Sequence, residues 1–225
     1  MPWAWGVKVM LGNEKSREID WERRESAMIK EISFQIIEEI KDRCKSLDDA
    51  TLVQIIEKIK GAKSIFFQGL GRSKLSFCFF AMRLMHLGYS VHMVGDVTTP
   101  AITEGDLLFV ISGSGETLST LNMAKTAKRV GAEVILVTMV EKSSIADVAD
   151  VKLVIDCPSA KHDTSHTASI QPMGSLFEQS VVLALDGGII SYLMHERNMD
   201  LQAPFVLHAC LLYTSMRKLR RPAKF

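Results

Sequence analysis

The chain has 225 residues, of which 47% are hydrophobic, enough to bury one sizeable core and so to form one domain. Its 27 basic and 26 acidic side chains leave a formal net charge of +1, which gives no field to attract nucleic acid or an anionic membrane. Any anion must therefore be bound locally. The four cysteines lie far apart, indicate neither a zinc site nor a disulfide framework, and fit a reducing cytoplasm. Since no apolar run approaches ~20 residues, we predict no membrane span.

Two helices are predicted at the start of the chain. Over residues 20–44, apolar side chains recur at helical spacing among Glu and Lys, which is the pattern of an amphipathic helix. A second, shorter helix follows, with Asp48 or Asp49 as its N-cap and Gly61 at its end.

After Gly61, short apolar runs alternate with helical stretches, which indicates an α/β fold with a parallel sheet covered on both faces. The predicted strands are 64–67, 91–94, 107–111, 134–137 and 153–155. The predicted helices are 72–87, 118–130, a short one near 144–149, and two at the end of the chain, about 173–195 and 200–213. The stretch 158–172 has no periodicity, and a loop of that length in a compact domain is often functional.

Two glycine-containing loops each follow a predicted strand and open a helix. The first is Gln68-Gly69-Leu70-Gly71-Arg72-Ser73 and the second is Ser112-Gly113-Ser114-Gly115-Glu116-Thr117. A helix N-terminus leaves backbone N–H groups free and carries partial positive charge, so it attracts an anion without a lysine. Glycines let the backbone approach closely, and the hydroxyls of Ser112, Ser114 and Thr117 add donors. We therefore predict that the second loop holds a phosphate.

Other interpretations of these loops exist. Ser114 and Thr117 could be ordinary helix caps, with the glycines serving only the turn. The first loop, with Asp96 further on, also partly matches a dinucleotide fingerprint. That fingerprint lacks its third glycine, because Lys74 stands at that position. Neither loop is followed by the Gly-Lys-Ser/Thr of a Walker motif.

Four stretches together resemble the sugar isomerase (SIS) family. They are Gly71-Arg72-Ser73, the run Ala81-Met82-Arg83-Leu84-Met85-His86-Leu87-Gly88, the segment from Gly105 to Thr117, and Met173-Gly174-Ser175-Leu176-Phe177-Glu178-Gln179 with Gln171 and Pro172 before it. The serine-glycine loop is common to the whole family and specifies only phosphosugar binding. The second and fourth stretches are similar to the branch that interconverts 3-hexulose 6-phosphate and fructose 6-phosphate in the ribulose monophosphate pathway.

The resemblance implies a three-layer α/β/α sandwich with a five-stranded parallel sheet of the flavodoxin-like type. It also implies a homotetramer with active sites shared between subunits, and an enzyme that uses no cofactor and no metal. In this interpretation residues 1–19 are an N-terminal extension, 20–213 a single SIS domain and 214–225 a basic tail.

The resemblance also suggests which residues bind and react. Gly71, Arg72 and Ser73 would hold substrate together with Ser112, Gly113, Ser114, Gly115 and Thr117. Moving the carbonyl through a 2,3-cis-enediol requires a base, and Glu178 at the start of an apolar helix is the candidate. Partial burial would strengthen this carboxylate as a base, whereas the helix N-terminus would stabilise its charged form, so the sequence leaves open which effect prevails. His208 would act from a neighbouring subunit, opening a sugar ring or shuttling a proton between the enediol oxygens.

Three further possibilities stay open at this stage. Glu178 could be only a first-turn helix acid, and His208 only a structural residue. His162 and His166 flank Asp163 in the irregular loop, which is a weak indication of a metal site. The chain could also be a non-catalytic sugar-phosphate sensor, or an aldose–ketose isomerase acting at C1 and C2.

Overall fold

The computed structural model describes residues 14–158 and 169–200. His208, nearly all of the predicted helix 200–213 and the basic tail lie outside the described residues. Helix α1 (Glu14–Lys45) has 32 residues and begins earlier than predicted. Helix α2 (Asp49–Gly61) starts at the predicted N-cap, since the Asp48 carboxylate accepts a hydrogen bond from the Thr51 N–H at 2.8 Å.

Five parallel strands form the central sheet. They are β1 (Ile65–Gln68), β2 (Val91–Met93), β3 (Leu107–Ile111), β4 (Glu133–Thr138) and β5 (Val151–Val154). Their order is β2-β1-β3-β4-β5, with every neighbouring pair parallel. This is the doubly wound, flavodoxin-like order, and the predicted fold class is confirmed.

The helices cover both faces of the sheet, as the apolar runs predicted. Helix α3 (Gly71–His86) packs on one face, and α4 (Leu118–Arg129) packs on the other. Each face has its own buried cluster because successive strand residues point to opposite sides. Phe67 and Phe109 stack at 5.2 Å between ring centroids in the cluster under α3, where Phe77 and Phe80 meet them edge-on.

The last described helix is continuous from Ser175 to Glu196, as α5 (Ser175–Val182), a π-helical segment (Leu183–Ile189) and α6 (Ile190–Glu196). With 22 residues, it is the one helix in the described ranges that is long and apolar enough to cross a membrane. Its buried side chains belong to the same core cluster as α3 and the sheet. We therefore interpret it as a core helix of the domain.

The prediction of a short helix near 144–149 is wrong. That segment forms consecutive turns, in which Ile145 and Ala146 are buried under the sheet face that carries α4. The Ile145 N–H is bonded to the carbonyl of Gly115 at 3.1 Å instead of to a helical partner. The Ser143 hydroxyl accepts a bond from the Ala146 N–H at 3.2 Å, which tightens the turn further. The segment keeps two helix-like bonds, from the Asp147 N–H to the Ser143 carbonyl and from the Ala149 N–H to the Ile145 carbonyl, but it forms turns and no regular helix.

An extended apolar surface lies on α1, α3 and the last helix. Its members are large apolar side chains that are between about two-fifths and two-thirds exposed, namely Met28, Ile29, Ile32, Phe34, Ile37, Leu75, Phe79, Met82, Leu183 and Tyr192. We call this set the apolar face. Exposed apolar residues scattered singly are ordinary, but so many on three adjacent helices indicate an interaction surface.

Candidate active site

The two glycine-containing loops meet at one edge of the sheet. β1 and β3 are direct neighbours, with Gln68 in register with Val110, so the loops that follow them lie side by side. The chain turns from β1 into α3 on one face and from β3 into α4 on the other. A crevice opens at such a reversal of strand order, at the carboxyl ends of the strands, and ligands of doubly wound proteins bind there. Gly69 of the first loop contacts Ile111 of β3 so closely that a Cβ would clash with the Ile111 side chain.

Hydroxyl groups hold the second loop, residues 112–117, in a compact turn. The hydroxyls of Ser112 and Thr117 lie 3.0 Å apart, which closes the loop from end to end. The Gly115 N–H donates to the Ser112 hydroxyl at 3.1 Å, and the Glu116 N–H donates to the Ser114 hydroxyl at 3.3 Å. The loop is therefore preformed by its own side chains.

The capping interpretation of this loop fails for Thr117. Thr117 is the N-cap residue of α4, yet it makes no side-chain capping hydrogen bond, because its hydroxyl faces Ser112. The first turn of α4 also has no acidic side chain. The positive end of this 12-residue helix is thus left without a side-chain acceptor from the cap, which is the arrangement that suits an anion.

Two glycines of the loop are required by the space around them. Gly115 has φ +68°, a left-handed conformation that other residues rarely adopt, and a Cβ there would clash with the Ser143 side chain. A Cβ at Gly113 would lie 2.6 Å from the Met139 methyl carbon. Both neighbours belong to the segment after β4, so the loop packs closely against the adjacent strand end.

Glu116, which precedes the N-cap Thr117 and so lies outside the first turn of α4, fastens the loop to a neighbouring segment. Its carboxylate accepts the Ser144 N–H at 2.8 Å, which ties the loop to the turns after β4. Hydrogen bonds from the side chain and the backbone N–H of Ser144 hold the pKa of Glu116 below its ordinary value, because they favour the charged carboxylate. Sequence spacing gave no indication of this tie, since the partner lies 28 residues away.

The first loop opens α3 without the dinucleotide geometry. Gly71 has φ +56°, and the N-cap Leu70 has no side chain that could accept a hydrogen bond. At the position of the missing third glycine, the Lys74 side chain runs toward β2 and donates to the carbonyl of Val94 at 3.1 Å. Lys74 therefore occupies the side of the loop where close helix–strand packing would be needed.

The structure brings together two predicted site residues from distant parts of the chain. Arg72 Nε, at the start of α3, donates to Glu178 Oε2, at the start of α5, at 2.6 Å. The Glu178 side chain is only 13% exposed, whereas that of Arg72 is 68% exposed. The ion pair with Arg72 engages Oε2 of this carboxylate.

A groove of about 610 Å³ opens beside this ion pair. Arg72 and Glu178 form part of its lining, and the rest is mostly apolar and comes from α1, α3 and the last helix. Ile37, Leu75 and Phe79 are shared between this groove and the apolar face. A carboxylate at the rim of an apolar groove is shielded from water on one side and reachable on the other.

Sequence reasoning missed Glu39 on α1. Its carboxylate accepts hydrogen bonds from Ser169, Ile170 and Gln171, the three residues that lead toward α5. Burial acts to raise the pKa of Glu39, but the bonds from Gln171, Ser169 and Ile170 prevail, and the pKa lies below its ordinary value. The partners are about 130 residues apart in sequence, so no local pattern could reveal them.

Some predicted residues are not placed by the structure. His208 lies outside the described residues, as do His162, Asp163 and His166. In the ranges that are described, no group of three or more His, Cys, Asp or Glu side chains could hold a metal ion. Ser73 lies beside Arg72 in the first turn of α3, and its backbone carbonyl accepts the Ser76 hydroxyl at 2.8 Å.

The strand order and the loop at its reversal define a doubly wound, flavodoxin-like α/β protein, a class whose ligands bind at the carboxyl ends of the strands. The SIS domain family matches residues 58–183, more than half of the chain. The protein therefore belongs to the SIS domain family, as the sequence motifs predicted.

Several relatives carry the name of one particular activity. A Bacillus subtilis protein named 3-hexulose-6-phosphate isomerase is 39% identical, over 79% of this chain and 95% of its own length. A protein of the same name from Methanocaldococcus jannaschii is 37% identical, over 72% of this chain and 84% of its own. A solved structure from Methanococcus jannaschii, described as inferring a molecular function of 3-hexulose-6-phosphate isomerase, has a TM-score of 0.68 at 33% identity and covers 83% of this chain and 99% of that one.

Proposed function

We propose that the protein is an isomerase that interconverts 3-hexulose 6-phosphate and fructose 6-phosphate, the step this activity performs in the ribulose monophosphate pathway. The observation that carries the proposal is the hydrogen bond between Arg72 of the first glycine-containing loop and Glu178, whose side chain is only 13% exposed. The relatives named for this reaction, which match over most of their own length, support the same substrate.

The proposed reaction needs one base and no cofactor. Glu178 Oε1 takes the proton from C2 of 3-hexulose 6-phosphate, and the electron pair moves to form the 2,3-cis-enediolate. A proton passes from O2 to O3 of the enediolate, and the same carboxyl group returns its own proton to C3, so that the carbonyl stands at C2 and a hydroxyl at C3 in fructose 6-phosphate. Arg72, with most of its side chain in solvent, is free to hold a substrate oxygen as negative charge develops there.

The phosphate would be held by the second loop. Free N–H groups at the start of α4 and the hydroxyls of Ser112, Ser114 and Thr117 surround the position where an anion is stabilised by the helix. Gly113 and Gly115 let the backbone approach, while Gly71 and Ser73 in the neighbouring loop would hold the sugar hydroxyls. The phosphate then serves as a fixed anchor, and C2 and C3 lie within reach of Glu178.

Two parts of the proposal depend on neighbouring subunits and the cell. We place the apolar face at the contacts of a homotetramer, in which His208 of one subunit moves a proton between the enediol oxygens at the next subunit's site.

The described cysteines, Cys44, Cys78 and Cys157, are free thiols. Free thiols are typical of a reducing compartment, so we place the enzyme in the cytoplasm.

The position of the reacting carbon tests the reaction directly. Fructose 6-phosphate incubated with the protein in heavy water is expected to gain deuterium at C3, because removing that proton gives the 2,3-enediol. NMR locates the label, and formation of 3-hexulose 6-phosphate is followed in parallel because internal proton return can mask exchange. Deuterium at C1 would instead identify an aldose–ketose isomerase, and tight binding with neither exchange nor product would identify a sensor.

Glu178→Gln tests the base. The amide keeps the size of the side chain and an oxygen for Arg72 but cannot take a proton, so kcat is expected to fall about 10²–10⁴-fold. Fructose 6-phosphate affinity, measured by calorimetry, is expected to stay within about threefold. The matched control is Glu133→Gln at the opposite end of the sheet, where the carboxylate only pairs with Lys58 at 2.7 Å. Near-normal turnover by the Glu178 variant would remove it as the base.

Gly115→Ala tests the phosphate loop. A Cβ at this left-handed position clashes with Ser143, so the loop must shift, and the affinity for both fructose 6-phosphate and inorganic phosphate is expected to fall at least about tenfold. Gly131→Ala is the control, because Gly131 also has a positive φ of +85° but follows α4 on the far side of the domain. If the folded Gly115 variant bound phosphate like the parent, this loop would not be the phosphate site.

Sedimentation tests the tetramer. With a chain mass of 25.1 kDa, the parent is expected to sediment as a species of about 100 kDa, four times that mass. Phe34→Glu places a charge on the apolar face, where Phe34 is 65% exposed, and is expected to dissociate the assembly. Val97→Glu, at a fully exposed side chain away from α1 and α3, should leave it intact. A monomeric parent would refute the shared-site arrangement.

A further inference from the structure

The turn before α5 fixes where Glu178 stands. Met173 has φ +54°, a conformation that costs free energy for a side chain with a Cβ and persists only when its surroundings hold it. The Ser175 N–H donates to the Pro172 carbonyl at 3.1 Å, and the Glu178 N–H donates to the Gly174 carbonyl at 3.0 Å. The backbone from Pro172 to Glu178 is therefore a stiff connection, and a shift at its start is transmitted to its end.

One carboxylate holds the start of this connection. Glu39, in the next-to-last turn of α1, accepts the Ser169 hydroxyl at 2.8 Å, the Ile170 N–H at 3.0 Å and the Gln171 side-chain amide at 3.0 Å. All three partners donate to this carboxylate, which is ionised and can only accept. Each bond is therefore charge-assisted. Three consecutive residues thus attach to a single side chain on a helix that also packs against α5.

The Gln171 amide shows how specific this attachment is. Gln171 is only 6% exposed, and its amide nitrogen faces Glu39 while its amide oxygen has no hydrogen-bond partner in the described part of the chain. Turning the amide over would place an oxygen against the Glu39 carboxylate and repel it. Glu39 therefore sets the orientation of a buried side chain immediately before Pro172.

A purely structural role for Glu39 would be to tie α1 to the body of the domain. Arg43, one turn further along α1, already does so by donating to the carbonyl of Asp156 at 2.7 Å, just beyond β5. The Glu39 bonds are different in kind, because all of them fall within the nine residues that precede Glu178. In the part of the chain that the structure describes, the hydrogen bonds of the Glu39 carboxylate go to residues 169–171 and none goes to the second loop.

We infer that Glu39 is a positioning residue, which sets the place of Glu178 at the substrate carbon by fixing residues 169–171. This inference rests on the proposed function, in which Glu178 is the base. Two helices then locate one carboxylate: α3 through Arg72 at its oxygen, and α1 through Glu39 at the backbone that leads to it. Neither contact involves the phosphate loop.

Glu39→Gln tests this inference, because its amide group presents N–H donors where the three partners also donate. For conversion of fructose 6-phosphate, kcat is expected to fall about 10- to 100-fold, the scale of a small misplacement of a reacting group. KM is expected to change less than about twofold, since the phosphate loop is untouched. Glu38→Gln is the matched control on the same helix turn, where the 64% exposed carboxylate pairs only with Lys41.

A double variant separates positioning from general damage. If Glu39 acts through Glu178, Glu39→Gln is expected to cause no further loss of kcat in a Glu178→Gln background, because the two effects are not independent. Gln171→Met, which removes one donor and keeps the volume, provides a second variant should Glu39→Gln not fold. Its kcat is expected to fall by a smaller factor, again with KM unchanged.

The outcomes distinguish this inference from the proposed function. An active parent whose Glu39→Gln and Gln171→Met variants match Glu38→Gln in kcat overturns the inference and leaves the function standing. A rise in KM equal to the loss in kcat, or full additivity with Glu178→Gln, also overturns it. A parent that neither converts fructose 6-phosphate nor exchanges its C3 proton overturns the proposed function and this inference with it.

Discussion

The hydrogen bond between Arg72 and Glu178 joins the two halves of the candidate site. Arg72 lies in the first turn of α3, just after β1, and Glu178 follows the last strand by more than twenty residues. The bond can form only because α3 and α5 pack on the same face of the sheet, within one buried cluster that includes Phe77 and Phe177. The distance between the Arg72 guanidinium and the Glu178 carboxylate is therefore set by core packing, and it could not be read from their spacing in the sequence.

The strand order supplies the other half of the arrangement. Because β1 and β3 are neighbours, the loops after them share one edge, and the helices they open lie on opposite faces. The second loop presents the N-terminus of α4, while the first presents Arg72 toward α5. In the proposed function, the loop before α4 is the phosphate anchor and Glu178 on α5 is the base, so different elements of the fold carry these two roles.

The sequence was sufficient for the sheet and for the loops. The apolar runs predicted all five strands to within a few residues, because a fully buried parallel strand such as β3 is apolar at every position. Helix α2 was predicted with Asp48 or Asp49 as its cap, and the structure shows Asp48 in that role, bonded to Thr51 three residues further on. The turn segment at Ile145 was predicted wrongly, since its backbone bonds to Gly115, which is 30 residues away.

In the candidate site too, features made by neighbouring residues could be predicted, whereas contacts between distant residues could not. Hydroxyls and glycines of residues 112–117 are adjacent in sequence, so their density alone indicated an anion loop. Glu178 was indicated by its place at the start of an apolar helix together with the resemblance, and its contact with Arg72 could not be predicted because the partners are 106 residues apart. Glu39 was not indicated at all. In the proposed function, residues 112–117 determine the class of ligand and Glu178 determines the reaction. The contact of Glu178 with α3, and the contact of α1 that we infer to position it, both join residues more than 100 positions apart in sequence.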